Sequence, residues 1–235
     1  RGVRPVGRRV LRSEYDLGPV TGRTGDWLTR GAEAAPERVF LAERSGAGWR
    51  EESYAATRQQ VRAIAAALLA RGMGADTPIL IMSGNGVDHG LLSLAAQYAG
   101  VPTVPVAEQY SLIHGAHGRL RHAIELVRPK MPYVVDADQY GEALKLDALD
   151  GVQIVATRTG GADVTAFADL LKGDAGIDVD AGFAKVTPDT VAKILMTSGS
   201  TSNPKGVLTT QRMMCVNQTQ LADSLPFLRA RPPPL

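Results

Sequence analysis

The chain has 235 residues, 44% hydrophobic and 21% charged with a net charge of +2, the balance of an ordinary globular domain with a sizeable core. Aromatics at 5% and arginines spread along the chain leave no basic, aromatic-interleaved face for nucleic acid. One cysteine excludes an internal disulfide framework and fits a reducing cytoplasmic compartment, and no apolar run approaches the roughly 18 residues a membrane helix needs.

Arg1, Arg4, Arg8, Arg9 and Arg12 precede any acid and read as a solvated leading strand rather than a targeting segment. Val39 to Arg44 and Trp49 to Ser53 predict a hairpin around Ser45-Gly46-Ala47-Gly48. Ser53 is placed as an N-cap; Val61, Ile64, Ala65, Leu68 and Leu69 follow at helical spacing, and Gly72 marks the stop. Ile79 to Met82 predicts a strand, Ser83-Gly84-Asn85-Gly86 a turn, and Leu91, Leu92, Leu94 and Ala95 a helix ending near Gly100. Val101 to Val106 predicts a strand whose two prolines put it at an edge or a strand end. A helix over Leu120 to Val127, a strand over Tyr133 to Val135, a helix over Tyr140 to Leu146, a strand over Val152 to Ala156 and a short helix over Val164 to Leu171 follow. Lys172 to Asp189 is rich in Gly and Asp and reads as loop. Strands alternating with helices predict an α/β fold with a mostly parallel sheet and flanking helices. Three segments are expected: leading strands and a hairpin over 1–52, an α/β unit over 53–210, and a helix opening a further unit over 211–235.

The segment that carries chemistry is Thr197-Ser198-Gly199-Ser200-Thr201-Ser202-Asn203-Pro204-Lys205-Gly206. It joins the apolar run Val191 to Met196 to the extended run Val207 to Thr210. Hydroxyls and backbone N–H groups donate to phosphate oxygens, lysine adds a compact positive charge, and glycine lets the backbone come close. A Walker A loop has its lysine after the second glycine and opens into a helix. Here Lys205 precedes Gly206 and β-branched residues follow, so the loop is expected to join two strands.

The same residues resemble the signature loop of the adenylate-forming superfamily, which includes acyl-CoA synthetases, peptide-synthetase adenylation domains and luciferase. Phe40 to Arg44, Trp49 to Glu51, Ser53-Tyr54, Asn85 and Tyr98 to Val106 extend the resemblance. Tyr110-Ser111-Leu112, Leu120-Arg121-His122, Thr210 to Met213 and Leu225 to Leu228 are most similar to feruloyl-CoA synthases. The resemblance implies an N-terminal portion of an ATP-dependent acid–CoA ligase, with Mg²⁺ bridging phosphates and CoA as acceptor. It further implies hydroxyls from Thr197, Ser198, Ser200 and Thr201, backbone access at Gly199 and Gly206, stiffening by Pro204, and charge neutralisation on the leaving pyrophosphate by Lys205, the one residue given a catalytic role. Ser202 joins the binding set as an added donor where its position does not need a positive φ, and is strained where it does. The resembling enzymes carry later adenine, ribose, metal and carboxylate contacts, so this portion alone is expected to lack ligase activity. Two departures stand out: Ser202 replaces the usual glycine and Gln211 the frequent histidine. Alternatives are a non-catalytic nucleotide- or partner-binding module of the same fold and a peptide-synthetase-type adenylation domain.

Other candidates read as structure. His114, His117 and His122 sit at a solvated helix start rather than in a metal site. His89 lies near a helix N-terminus, and Cys215 reads as a buried helical residue. Ser83 to Gly86 reads as a capping turn rather than an anion site.

Overall fold

A computed structural model describes residues 2–3, 9–10, 14, 16–197 and 204–230. Two short strands, β1 (Gly2–Val3) and β2 (Arg9–Val10), pair antiparallel. Helix α1 (Thr24–Ala34) follows, then the hairpin of β3 (Val39–Ser45) and β4 (Gly48–Ser53) in the expected place. Ser53 caps α2 (Tyr54–Ala70): its hydroxyl accepts from the Ala56 N–H at 3.2 Å, satisfying one orphan donor of the first turn. The predicted apolar face holds, with Val61, Ile64, Ala65 and Leu68 buried, and Gly72 turns the chain out at φ +66°.

The remaining elements are β5 (Ile79–Ile81), α3 (Val87–Ala99), β6 (Thr103–Pro105), α4 (Gln109–Leu112), a 3₁₀ turn (His114–Ala116), α5 (His117–Val127), β7 (Met131–Asp136), α6 (Gly141–Leu144), a second 3₁₀ turn (Asp147–Leu149), β8 (Val155–Arg158), β9 (Thr165–Ala166), α7 (Phe167–Leu170), α8 (Val179–Ala184), β10 (Val191–Thr197), β11 (Lys205–Thr210), α9 (Gln211–Ser224) and α10 (Phe227–Ala230). Seven strands form one sheet in the order β11-β10-β6-β5-β7-β8-β9. Every pairing in it is parallel except the β10–β11 hairpin. Alternation along the central strand divides the core. Ile79 and Ile81 face α2 and α3, whereas Leu80 and Met82 face α5 and the buried Tyr140. The helices that follow β5 and β6 thus lie on opposite faces, which opens the carboxyl edge of the sheet where ligands bind in folds of this type.

Three local expectations change, and one alternative is decided. β6 lies between β5 and β10, so its prolines mark strand ends and not a sheet edge. Its prolines are tolerated because Pro102 precedes the strand and Pro105 ends it, while the flanking donors still pair: Ile79 N–H reaches the Pro102 carbonyl at 2.9 Å and Val106 N–H the Ile81 carbonyl at 3.0 Å. The helix expected over Val164 to Leu171 is split into strand β9, which pairs with β8, and one turn of helix burying Phe167 and Leu170. The loop expected over Lys172 to Asp189 contains α8, capped by Asp178, whose carboxylate accepts from the N–H groups of Asp180 (3.1 Å) and Ala181 (2.9 Å). Helix α1 stands in a region expected to hold only strands. No side chain of its own caps it; it is held by Phe183 of α8, which stacks on Tyr98 at 3.9 Å and carries the Arg23 guanidinium over its other side at 3.8 Å. Among the described residues no helix is long and apolar enough to cross a membrane.

Candidate phosphate-binding site

β10 and β11 form an antiparallel hairpin with Thr197 opposite Lys205 and Met196 opposite Gly206. The segment singled out in the sequence thus runs from one strand of a hairpin to the other, from the carboxyl end of β10 to the start of β11, as its residue order predicts. Thr197, Pro204, Lys205 and Gly206 are described; Ser198, Gly199, Ser200, Thr201 and Ser202 lie outside the described residues.

The described rim is well braced. The Thr197 hydroxyl spans the hairpin, accepting from the Lys205 N–H at 3.3 Å and donating to the Lys205 carbonyl at 3.2 Å. Pro204 is buried, and its carbonyl accepts from Nε2 of His122 at 2.9 Å. Gly206 is required by a close approach: a Cβ there would stand 2.9 Å from Cγ2 of Ile194, closer than side-chain atoms pack. Lys205 itself is exposed, and its ammonium makes no ion pair with a described residue. A lysine so placed is free to meet an anion from solvent, with its main chain fixed on both sides.

The neighbouring strand ends are already committed to one another. After β6, Glu108 accepts from the hydroxyl of Tyr140, and burial of that phenol, reinforced by the carboxylate, pushes its pKa up to about 12. After β5, the Ser83 hydroxyl accepts from the Val135 N–H at 2.5 Å. The turn Ser83 to Gly86 opens α3, but the helix N-terminus is filled from outside: Oε2 of Glu43, on β3, accepts from the Val87 N–H at 2.9 Å. The turn leads into α3 but none of its side chains caps it, because Gly86 at the N-cap has none and Ser83 is taken by Val135; the cap is a carboxylate from a distant hairpin. Arg50 of β4 ties the arrangement together by pairing with Glu43 (3.2 Å) and with Asp88 in the first turn of α3 (2.8 Å). His89 donates from Nδ1 to the Gly84 carbonyl at 3.1 Å, and desolvation depresses its pKa.

Three further candidates resolve as structure. His114 and His117 meet edge to face at 5.1 Å, and His117 bonds the Ser111 carbonyl through Nε2. Among the described residues no group of three His, Cys, Asp or Glu side chains could hold a metal ion. Cys215 is buried in α9, where desolvation pushes its thiol up to about 11. Gln211 does not face the loop. It is fully buried at the start of α9, where Oε1 accepts from the N–H (3.0 Å) and hydroxyl (3.1 Å) of Thr24 and Nε2 donates to the Gln97 carbonyl (3.1 Å). Its replacement of histidine concerns how α1, α3 and α9 join.

Sequence reasoning missed two contributors to the edge, Glu43 as a helix cap and His122 as a partner of Pro204. Neither has a local signature, because each acts across 44 and 82 residues of sequence respectively.

Comparisons with known proteins agree with this geometry. The family model described as "AMP-binding enzyme" matches residues 28–230. Phenyloxazoline synthase MbtB of Mycolicibacterium paratuberculosis is 29% identical over 211 residues, covering 86% of this chain and 15% of that protein. Among solved structures, the fatty acyl-adenylate ligase from L. pneumophila, in complex with acyl adenylate and pyrophosphate, superposes with a TM-score of 0.65 at 17% identity, over 87% of this chain and 33% of that one. VinN superposes at 0.67 with 20% identity, over 90% of this chain and 49% of that one. The chain thus spans less than half the length of these relatives. The family match over most of its length, with a mostly parallel sheet that carries the β10–β11 hairpin at one edge, places this chain in the AMP-binding enzyme family of adenylate-forming proteins.

Proposed function

We propose that this chain supplies the pyrophosphate side of the ATP site in an enzyme that activates a carboxylic acid as its acyl adenylate. The observation that carries this is Lys205: an exposed ammonium with no ion pair among the described residues, at the rim of a braced hairpin whose connecting sequence holds four hydroxyl residues beyond Thr197. An acid oxygen attacks the α-phosphorus of ATP, the bond to the β-phosphate oxygen breaks, and pyrophosphate leaves. Lys205 neutralises the charge that grows on the leaving group, and Ser198, Ser200, Thr201 and Ser202 donate hydroxyls to its oxygens. Gly199 and Gly206 let the main chain approach, and Thr197 frames the loop through its bonds to Lys205. A magnesium ion bound with ATP would supply further positive charge against the leaving group, and no group of three His, Cys, Asp or Glu among the described residues could hold it, so Lys205 is the cation this chain itself brings. The acyl group then passes to the thiol of CoA with release of AMP. A feruloyl or related hydroxycinnamoyl acid is the substrate, supported by the resemblance of Tyr110 to Leu112 and Leu225 to Leu228.

A second reading, a peptide-synthetase-type adenylation domain that loads a carrier protein instead of CoA, is favoured by the similarity to MbtB, a far longer protein. Offering CoA and a carrier protein in turn to the enzyme that contains this chain separates the two. The shared step is tested by Lys205→Ala, which is expected to slow ATP–pyrophosphate exchange on the order of a hundredfold while changing the KM for the acid less than about twofold. Unchanged exchange would remove the loop from the reaction.

A further inference from the structure

We propose that His122 is the positioning residue of the phosphate-binding hairpin, holding the peptide plane from which Lys205 projects. The inference deepens the reading of the hairpin as a phosphate site and rests on it. The peptide between Pro204 and Lys205 is a single planar unit, so two bonds at its opposite ends fix its rotation. The structure provides both. Its carbonyl accepts from Nε2 of His122 at 2.9 Å, and its N–H donates to the Thr197 hydroxyl at 3.3 Å. Thr197 belongs to the hairpin itself and moves with it. His122 belongs to α5, which is sunk into the core through Leu120, Ala123 and Ile124. The histidine therefore ties this peptide directly to a core helix, beside the indirect hold through β10 and its pairing with β6.

The environment strengthens this tie. Pro204 is buried while Lys205, Gly206, Val207 and Leu208 are all exposed, so the histidine grips β11's side of the hairpin at the residue where it is sunk into the molecule. Proline has no N–H of its own, and its carbonyl is the sole main-chain polar group it offers; buried, that group needs a donor. The bond also fixes the ring, since a neutral His122 must carry its proton on Nε2 to make it. Among the described residues β11 is an edge strand, paired with β10 alone.

The test uses this chain with His122→Leu, which removes the donor, and His122→Gln, whose amide restores one. Amide hydrogen exchange at Lys205 reads the peptide directly. Exchange about tenfold faster in His122→Leu, largely restored in His122→Gln, is expected; equal rates in all three proteins would overturn the proposal. Titration with inorganic pyrophosphate, followed by phosphorus NMR, reads the consequence. His122→Leu should weaken binding roughly five- to tenfold with the glutamine variant close to wild type. Lys205→Ala serves as reference. If it leaves pyrophosphate binding unchanged, the phosphate-site reading fails, and the exchange rates still decide whether His122 holds the peptide. If Lys205→Ala weakens binding and His122→Leu does not, the site stands and the positioning role of His122 is refuted. Should His122→Leu lower the melting temperature of the whole chain, exchange at Lys205 is read against core amides of α5 in the same variant, and a rise no greater than theirs overturns the proposal.

Discussion

Gln211→Leu isolates the buried junction of α1, α3 and α9. The substitution keeps the volume and removes three bonds: two accepted from Thr24 and one donated to Gln97. The Thr24 hydroxyl keeps its bond to Oε1 of Gln97 at 2.8 Å, and the Gln97 carbonyl keeps a long bond from the Gly100 N–H at 3.4 Å. The group left without a partner is the Thr24 N–H, in a residue only 8% exposed. Its desolvation costs about 1–3 kcal/mol, and the lost bond to Gln97 about 1 kcal/mol more. The extra apolar surface of leucine offsets about 1 kcal/mol, so a net loss of about 2 kcal/mol is expected. Urea unfolding followed through Trp27, on α1 itself, measures it as a shift in midpoint at constant slope. The structure also offers a specific check. Thr24 is the first residue of α1 and Arg23 before it is extended, at φ −142° and ψ 146°, so proline is sterically acceptable there and has no N–H to strand. Thr24→Pro should therefore cost less in the Gln211→Leu background than in wild type, by about 1 kcal/mol or more. A loss for Gln211→Leu below about 0.5 kcal/mol, or strict additivity of the two changes, would show that the junction does not depend on this hydrogen-bond set.

Other outcomes follow from the same geometry. Gly206→Ala drives a methyl against Ile194 and is expected to cost about 1–3 kcal/mol in the same unfolding assay, with the cost falling when Ile194→Ala is added. Burial raises the phenols of Tyr133 and Tyr140 above the ordinary tyrosine value of 10.0. The unfolded chain then ionises first, so the stability they contribute is fully present below pH 10 and is lost as pH rises from there; alkaline unfolding of Tyr140→Phe should show a shallower fall between pH 10 and about 12. The Cys215 thiol, raised to about 11 and buried, should ignore a disulfide reagent at pH 8 until urea unfolds the chain; rapid labelling of the native protein would contradict the packing of α9.

What could be read from sequence was whatever is written locally. Ser53, the apolar spacing from Val61 to Leu68, and Gly72 are enough to define α2 because caps and periodicity act within a few residues. The order Lys205 before Gly206, followed by Val207 and Leu208, distinguished a hairpin from a strand-to-helix turn for the same reason. Helix α1 escaped because its stability is borrowed: Gln211, 187 residues away, satisfies its first N–H, and Phe183 packs on its flank. β9 escaped because two residues, Thr165 and Ala166, become a strand only through the neighbouring β8. At the site the loop residues were legible as a motif, but its scaffold was not. The bracing by His122 and the filling of α3's N-terminus by Glu43 are contacts between segments far apart in the chain.

The carboxylate of Glu43 at the start of α3 has a consequence for where anions can settle. A helix N-terminus and a hydroxyl-rich hairpin loop on one edge of a sheet are rival attractors for the same polyanion. With Glu43 seated there and Asp88 in the same turn, the helix end already has its negative charge and turns a second one away. An anion arriving at this helix end meets a position that a carboxylate already holds. The β3–β4 hairpin, 44 residues before α3 at the point of contact, thereby fixes the charge at the start of that helix from outside it.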